Sequence, residues 1–466
     1  MSAGIRFGTD GWRAVIADDF TFANLRLVAR ATARFFRRHP RREGGIVIGY
    51  DARFMSREFA ETAAAAIADE GIGVKLADSI VTTPMISLLT KLERAAGGVV
   101  ITASHNPARY NGFKIKGDFG GPAHPEMIAR VERELASVLR AGPRRREPSF
   151  AALAEAGRIR PINMRRRYLS HLGRKIDIPL IRRSGIRILY DAMYGAGQGV
   201  LGEILPRSVQ MRGEFNPSFG GMNPEPMAHN LTELARRVRR EKFDLGIATD
   251  GDADRIGAVD EKGVFVDSHR IFALLLKYLV EEKGMRGEVV KTFSVTQMVD
   301  AQCRAYGLRL TETPIGFKHV CRLMTERDVL IGGEESGGLG VKGHIPERDG
   351  IYLGLLLAEM MAVRGKTLGA LVRELMEEFG VHEFGRADLH LGGAQKEAFM
   401  KRYRGAVRRI GPFPVRGRKD TDGHKFFVDG GWVLVRASGT EPLVRVYAEA
   451  DGRRKADALL RAAAAV

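Results

Sequence analysis

Apolar positions along the chain fall into two recurring patterns. Short continuous apolar runs at residues 46–51, 74–77, 97–101, 186–191, 244–248, 329–331, 432–435 and 444–448 predict buried strands. Between them, positions spaced three and four apart, or uniformly apolar over two turns or more, predict helices at 22–36, 58–69, 231–240, 271–280, 355–363 and 368–379, with another opened by Thr83-Pro84. Strands alternate with helices over most of the chain, which makes the fold class α/β. The last ninety or so residues differ, with neighbouring strands and few helices between them. The basic, Pro-containing segment 141–148 reads as the way out of a first domain.

At 466 residues the chain is too long for one core and implies about three or four domains of roughly 100 to 150 residues each. Hydrophobic residues at 44% and charged residues at 28% are ordinary for a soluble globular protein. The net charge of +18 raises nucleic acid or an anionic membrane as a partner, but the basic residues are mostly Arg and spread along the chain instead of forming one arm. No aromatic stacking motif or basic recognition helix accompanies them. A phosphorylated substrate would use a few of them, and the surplus reads as a solvated Arg-rich surface. Cys303 and Cys321 cannot form a disulfide framework, and no Cys or His spacing matches a zinc site, so a reduced cytoplasmic location is expected. The N-terminus lacks a signal-peptide pattern, and apolar runs such as 351–361, interrupted by Glu359, are too short to span a bilayer.

The chemistry collects where strands end. After the run 97–101 comes Thr102-Ala103-Ser104-His105-Asn106-Pro107, then Tyr110-Asn111-Gly112-Phe113-Lys114. A hydroxyl beside an imidazole, with an amine ten residues on, can accept a phosphoryl group next to proton carriers; a plain polar turn is the alternative. After 244–248 comes Asp250-Gly251-Asp252-Ala253-Asp254-Arg255, where three alternate carboxylates on a tightly curling loop can converge on one divalent cation. An EF-hand is rejected because Arg255 stands where its glycine is required and a strand precedes the loop. After 329–331 comes Gly333-Glu334-Glu335-Ser336-Gly337-Gly338, whose carboxylates and hydroxyl can bind vicinal sugar hydroxyls, or form a flexible acidic loop. After 432–435 come Arg436, Ser438, Gly439 and Thr440, the inventory for a phosphate dianion, or a hairpin turn. The glycines of Tyr194–Gly199 have the wrong spacing for a dinucleotide loop.

These four strings, with the N-terminal Phe7-Gly8-Thr9-Asp10-Gly11-Trp12-Arg13, resemble in order the phosphoserine, metal, sugar and phosphate loops of the α-D-phosphohexomutases, the phosphoglucomutase and phosphomannomutase family. The resemblance spans essentially the whole chain. It implies four domains around a central cleft: three similar α/β domains with mixed sheets (1–150, 151–262 and 263–372) and a smaller α+β C-terminal domain (373–466). It implies Ser104 as phosphoryl carrier and one Mg²⁺ held by Ser104, Asp250, Asp252 and Asp254. Lys114, with its pKa lowered by burial and neighbouring positive charge, and His105 are the expected proton carriers. Arg13, Arg255 and Lys318 would screen the bridging phosphates, Glu334 and Ser336 would bind the sugar, and Arg436, Ser438, Gly439 and Thr440 would hold the distal phosphate. The implied reaction interconverts glucose 1-phosphate and glucose 6-phosphate, with glucose 1,6-bisphosphate as intermediate and activator. Mannose or glucosamine phosphate is the alternative substrate, and a basic nucleic-acid-binding protein a distant alternative. The expected partner is a phosphorylated hexose, not nucleic acid or membrane, for a monomer or homodimer. The tilt toward glucose rests on Glu335 and Gly338, which add an anion and omit a cation relative to the other branches, and on Ala253.

Overall fold

A computed structural model of the chain describes residues 4–8, 10–142, 149–438 and 443–465. The first sheet runs Trp12–Val15, Tyr110–Gly117, Gly97–Ile101, Ile46–Tyr50, Val74–Ala77 and Ile159–Ile162, with Gly121–Pro122 attached to Tyr110–Gly117. Its central strands are parallel and Tyr110–Gly117 is antiparallel to them, so the sheet is mixed as expected. Gly97–Ile101 and Ile46–Tyr50 are buried at every position, which is why they read as unbroken apolar runs and not as alternating ones.

The second sheet has the order Phe265–Val266, Ile256–Val259, Leu245–Thr249, Ile188–Asp191, Val209–Met211, and the third Leu310–Thr313, Glu288–Thr292, Val329–Gly333, Leu339–Val341. All three sheets contain one shared device. A central strand with a parallel neighbour ends in a loop, and the chain returns as an antiparallel strand on its other side: Gly97–Ile101 into Tyr110–Gly117, Leu245–Thr249 into Ile256–Val259, and Val329–Gly333 into Leu339–Val341. Each reactive loop sits at that reversal. The fourth sheet is antiparallel throughout, in the order Glu383–His390, Leu443–Ala450, Gly431–Ala437, His424–Val428, Gly417–Lys419, and is accompanied by helices Gly393–Arg404 and Arg453–Ala464.

The packing divides three against one. A single apolar cluster runs from Trp12 to Leu375 through the first three domains, while the fourth has its own, including Phe399, Val433, Val446 and Leu459. Third and fourth domains meet at Phe293, Trp432, Leu434 and Tyr447. There Lys425 lies 3.9 Å from the centre of the Trp432 ring and donates to the Phe293 carbonyl at 2.8 Å.

Two expectations shift. Strand Ile159–Ile162 pairs in parallel with Val74–Ala77, so the first sheet reaches past the boundary expected at residue 150. With Arg160 and Pro161 it does not look like a strand in sequence, and it is tolerated because it lies at the sheet edge. The apolar helix expected from 355 begins at Gly350, capped by the Asp349 carboxylate, which accepts from Tyr352 N–H at 3.0 Å. Among the described residues no helix is long and apolar enough to cross a membrane.

Candidate active site

Ser104 occupies the left-handed region at φ 54°, a conformation that costs a non-glycine residue energy and persists only when its surroundings impose it. Arg53 imposes it. Its fully buried guanidinium is anchored on Asp51 at 3.1 Å and donates to the carbonyls of Ser104 (2.5 Å), Asn106 (2.7 Å), Pro107 (3.0 Å) and Tyr110 (3.0 Å). Thr102 completes the cradle, accepting from Ser104 N–H at 2.9 Å and donating to Asp51 at 2.6 Å. The serine hydroxyl thereby sits buried, 2.8 Å from Asp250 Oδ2 and 3.4 Å from His105 Nδ1. Burial, followed by the Arg255 and Arg13 charges, holds the His105 imidazole well below its ordinary pKa and hence neutral.

The aspartate loop meets the serine loop backbone to backbone. A Cβ on Gly251 would lie 2.3 Å from the Ser104 carbonyl oxygen, so glycine is the residue that permits this approach. Asp250, Asp252 and Asp254 are all buried, and one oxygen from each lies within 4.8 Å of the others. Asp250 Oδ1 accepts from the N–H groups of Asp254 (3.0 Å) and Arg255 (3.1 Å). Asp252 Oδ2 accepts from Lys114 at 2.8 Å and Thr83 at 2.5 Å, and Asp254 Oδ2 from Arg348 at 2.6 Å. The second oxygens of Asp252 and Asp254 are buried without a hydrogen-bond partner among the described residues, that of Asp254 lying 4.0 Å from Arg255 Nε. Burial, reinforced by the two neighbouring aspartates, pushes the Asp250 carboxyl well above its usual range. Orphaned carboxylate oxygens and mutual repulsion are what a hard divalent cation relieves, so the residues fit one.

Lys114 departs from expectation. Burial alone would lower its pKa, but Asp10 and Asp252 at 2.8 Å and Asp254 at 3.4 Å outweigh burial and raise it above the ordinary lysine range. In this arrangement Lys114 is charged: it can neutralise carboxylates or donate a proton, and the lowered pKa that a base requires is absent.

The sugar-loop segment docks on the strand leaving the aspartates, because Gly337, at φ 91°, brings its carbonyl 3.0 Å from Ile256 N–H, and a Cβ there would meet the Ile256 carbonyl at 2.5 Å. Burial raises the Glu334 carboxyl to about 7, against the pull of Arg348 at 3.4 Å. Ser336 Oγ is buried and has no hydrogen-bond partner among the described residues. Glu335, however, does not join Glu334 in the cleft. Its carboxylate accepts from Ser294 at 2.5 Å and from Tyr447 of the fourth domain at 3.3 Å, making it a joint between domains. Nor does the loop lack a cation. Arg348 packs so closely over Gly338 that a Cβ there would lie 2.1 Å from Arg348 Cδ. Both charge arguments for glucose are corrected by these contacts.

The remaining expected residues are placed more loosely. Arg13 donates to Asn106 Oδ1 at 2.7 Å, and Arg255 pairs with Glu225 at 2.9 Å. Lys318 is half-buried near the start of helix Phe317–Glu326 and makes no ion pair among the described residues. Arg436 pairs with Asp422 at 2.9 Å, whose other oxygen accepts from Ile315 N–H of the third domain at 2.9 Å. Ser438 is buried; Gly439 and Thr440 lie outside the described residues.

Four profiles of one family match in order: phosphoglucomutase/phosphomannomutase alpha/beta/alpha domain I at residues 4–140, domain II at 166–263, domain III at 267–379 and the C-terminal domain at 395–466. A phosphoglucomutase/phosphomannomutase of Thermococcus kodakarensis is 30% identical over 97% of this chain and 96% of its own. The chain belongs to the phosphoglucomutase/phosphomannomutase family. Within that family it is also 32% identical to a phosphoglucosamine mutase of Carboxydothermus hydrogenoformans, over 96% of this chain and 95% of the relative. A crystal structure from Thermus thermophilus, provisionally named a phosphomannomutase, superposes with a TM-score of 0.86 at 35% identity, covering 99% of both chains.

Three residues of this phosphohexomutase stand at the centre of the site without having been singled out by sequence. Arg53 shapes the serine loop, Asp10 accepts from Lys114 at 2.8 Å and Arg348 at 3.0 Å, and Arg348 ties Asp10, Asp254 and Glu334 together. Asp10 was visible only as one member of the N-terminal motif, while Arg53 lies two positions past the run 46–51 and Arg348 in the stretch 343–350.

Proposed function

We propose that this phosphohexomutase interconverts glucose 1-phosphate and glucose 6-phosphate through phosphorylated Ser104 and glucose 1,6-bisphosphate. The observation that carries the mutase chemistry is Ser104 Oγ, buried 2.8 Å from Asp250 within a triad whose other two members each keep an unpartnered oxygen. Asp250, Asp252 and Asp254, with Ser104, are the residues that would hold Mg²⁺. When bound, the ion supplies positive charge that offsets negative charge developing on a transferring phosphoryl group.

The chain's own groups account for the rest. Arg53 fixes the carbonyls around Ser104, so the hydroxyl is oriented before substrate arrives. Lys114, charged and held by Asp10, Asp252 and Asp254, can give a proton to a leaving hydroxyl oxygen; neutral His105 can take the one displaced from Ser104. Glu334 and Ser336 present an acceptor and a free hydroxyl for the sugar, while Arg13, Arg255 and Lys318 offset phosphate charge. Arg436, Ser438, Gly439 and Thr440 hold the phosphate that is not reacting, and a charge-based clamp suits a group that must take either position. The cytoplasm is the expected setting for such an activity.

Glucose is favoured by the wording of the Glu334-Glu335-Ser336-Gly337 loop and by Ala253 alone, since Glu335 is engaged with Ser294 and Tyr447. The second reading, glucosamine phosphate, is supported by the name of the Carboxydothermus relative. Discrimination at C2 is worth about 1 to 3 kcal/mol, or roughly 10- to 200-fold. Measuring kcat/KM for glucose, mannose and glucosamine 1-phosphates in one coupled assay tests the assignment. A competitor equal to or better than glucose 1-phosphate would refute the substrate and leave the mutase chemistry intact.

A further inference from the structure

Between the first and third domains, with neither Ser104 nor the three aspartates in its lining, lies a cavity of about 440 Å³, lined by Arg41, Lys91, Arg94, Asp118, Phe119, Met324, Thr325 and Pro346. Three cations converge on it and one carboxylate. Asp118 is already engaged by Arg41 at 3.1 Å and lies 3.8 Å from His39. Lys91 and Arg94 make no ion pair among the described residues, and Arg94 is held there at φ 49°, in the left-handed region. Lys91 and Arg94, both exposed, are thus left able to meet an anion at the cavity rim. Phe119, Met324 and Pro346 add apolar surface, which bare phosphate or chloride would leave unused.

The cavity is wired to the reaction centre by one rigid element. Lys91 lies on helix Thr83–Leu92, about 12 Å along the axis from Thr83. Thr83 donates to Asp252 Oδ2 at 2.5 Å, and its N–H donates to the Asp252 carbonyl at 3.0 Å. Midway, Ser87 donates to Glu347 at 2.8 Å, between cavity-lining Pro346 and Arg348. A ligand bridging Lys91 and Pro346 would therefore touch both the helix that carries Thr83 and the segment that delivers Arg348.

We propose that this cavity binds a small organic phosphate, its phosphate on Lys91, Arg94 and Arg41 and its apolar body on Phe119, Met324 and Pro346, at a site separate from the catalytic cleft. The proposal does not depend on which hexose phosphate the enzyme isomerises.

Isothermal titration of the full chain at low salt, with AMP and with inorganic phosphate as probes, tests it. AMP is expected to bind saturably, about tenfold more tightly than inorganic phosphate, with affinity falling as salt rises. Lys91→Glu with Arg94→Glu is expected to weaken AMP about tenfold or more at an unchanged melting temperature. Should that pair fail to fold, Lys91→Ala is expected to give a smaller loss in the same direction. Absence of saturable binding, equal affinity for the two probes, or AMP binding unchanged by the Lys91 substitutions would overturn the proposal, the last because the ligand would then be in the catalytic cleft.

Discussion

The three loops around Ser104 and the proposed phosphate grip around Arg436 are assembled differently. Around Ser104, backbone touches backbone: Gly251 against the Ser104 carbonyl, Gly337 against Ile256, and Gly350, where a Cβ would meet the Arg255 carbonyl at 2.3 Å. The charged groups there are buried and shared, with Lys114 and Arg348 each spanning two or more carboxylates. Arg436 instead meets the third domain through side chains, by way of Asp422, in a domain with its own apolar core. The first arrangement cannot shift one loop without disturbing the others. The second is joined to the third domain by side chains, through Asp422 and the seam at Phe293, Trp432, Leu434 and Tyr447, with no such backbone-to-backbone approach at Arg436.

This contrast predicts effects of different kinds on the two sides. The largest is expected for Asp252→Ala, which removes one proposed oxygen ligand, leaves the Thr83 hydroxyl without its acceptor and costs Lys114 one of its three carboxylate partners: kcat falls by orders of magnitude while circular dichroism stays native. Retained turnover in chelator, with divalent ions verified absent, would break the metal role. Arg53→Met is next. It strands the buried Asp51 carboxylate and frees four carbonyls, so stability drops by about 3 to 5 kcal/mol in a denaturant titration, and kcat drops with it. A melting curve matching wild type would show that the serine loop holds itself.

The buried Glu334 carboxyl gives a pH signature. Its proton is retained in the folded protein up to about 7 but lost near 4.5 in the unfolded chain, so the folded state binds more protons across that window. Stability relative to Glu334→Gln should therefore fall as pH rises from 4.5 to 7, by about 3 kcal/mol at most. A difference that is flat or rises across the window would contradict the burial argument. The smallest effect is expected on the other side of the comparison. Arg436→Ala should raise KM for the sugar phosphate about tenfold, with less change in kcat, because it weakens a charge-assisted grip on the phosphate that is not reacting. A kcat loss rivalling that of Asp252→Ala would erase the distinction between the two regions.

The same difference explains what could be read from sequence. Ser104, the three aspartates and Glu334 were legible because each lies in a short string at the end of an apolar strand, and strand ends are where α/β sheets carry chemistry. The repeated strand-to-loop pattern in three domains was legible for that reason too, and the structure adds its cause, an antiparallel return after each loop. Asp10 and Arg348 were not legible as partners, since they are 338 positions apart and only the packing of the first domain on the third brings them to 3.0 Å. The state of Lys114 failed in the same way: ten residues from Ser104 in sequence, it is governed by carboxylates of the first and second domains, distant from it in the chain. Glu335 shows the limit within a motif, where neighbouring identical residues face different domains.

The central claim is that Ser104, oriented by Arg53 and set against Asp250, carries the phosphoryl group. Incubating the full-length protein with glucose 1,6-bisphosphate and Mg²⁺ and mapping the product by peptide mass spectrometry tests it most directly. The account predicts one phosphoryl group, on Ser104, absent from Ser104→Ala, which is also inactive. An unmodified Ser104 in protein that turns over substrate, a phosphoryl group on another residue, or full activity in Ser104→Ala would contradict it.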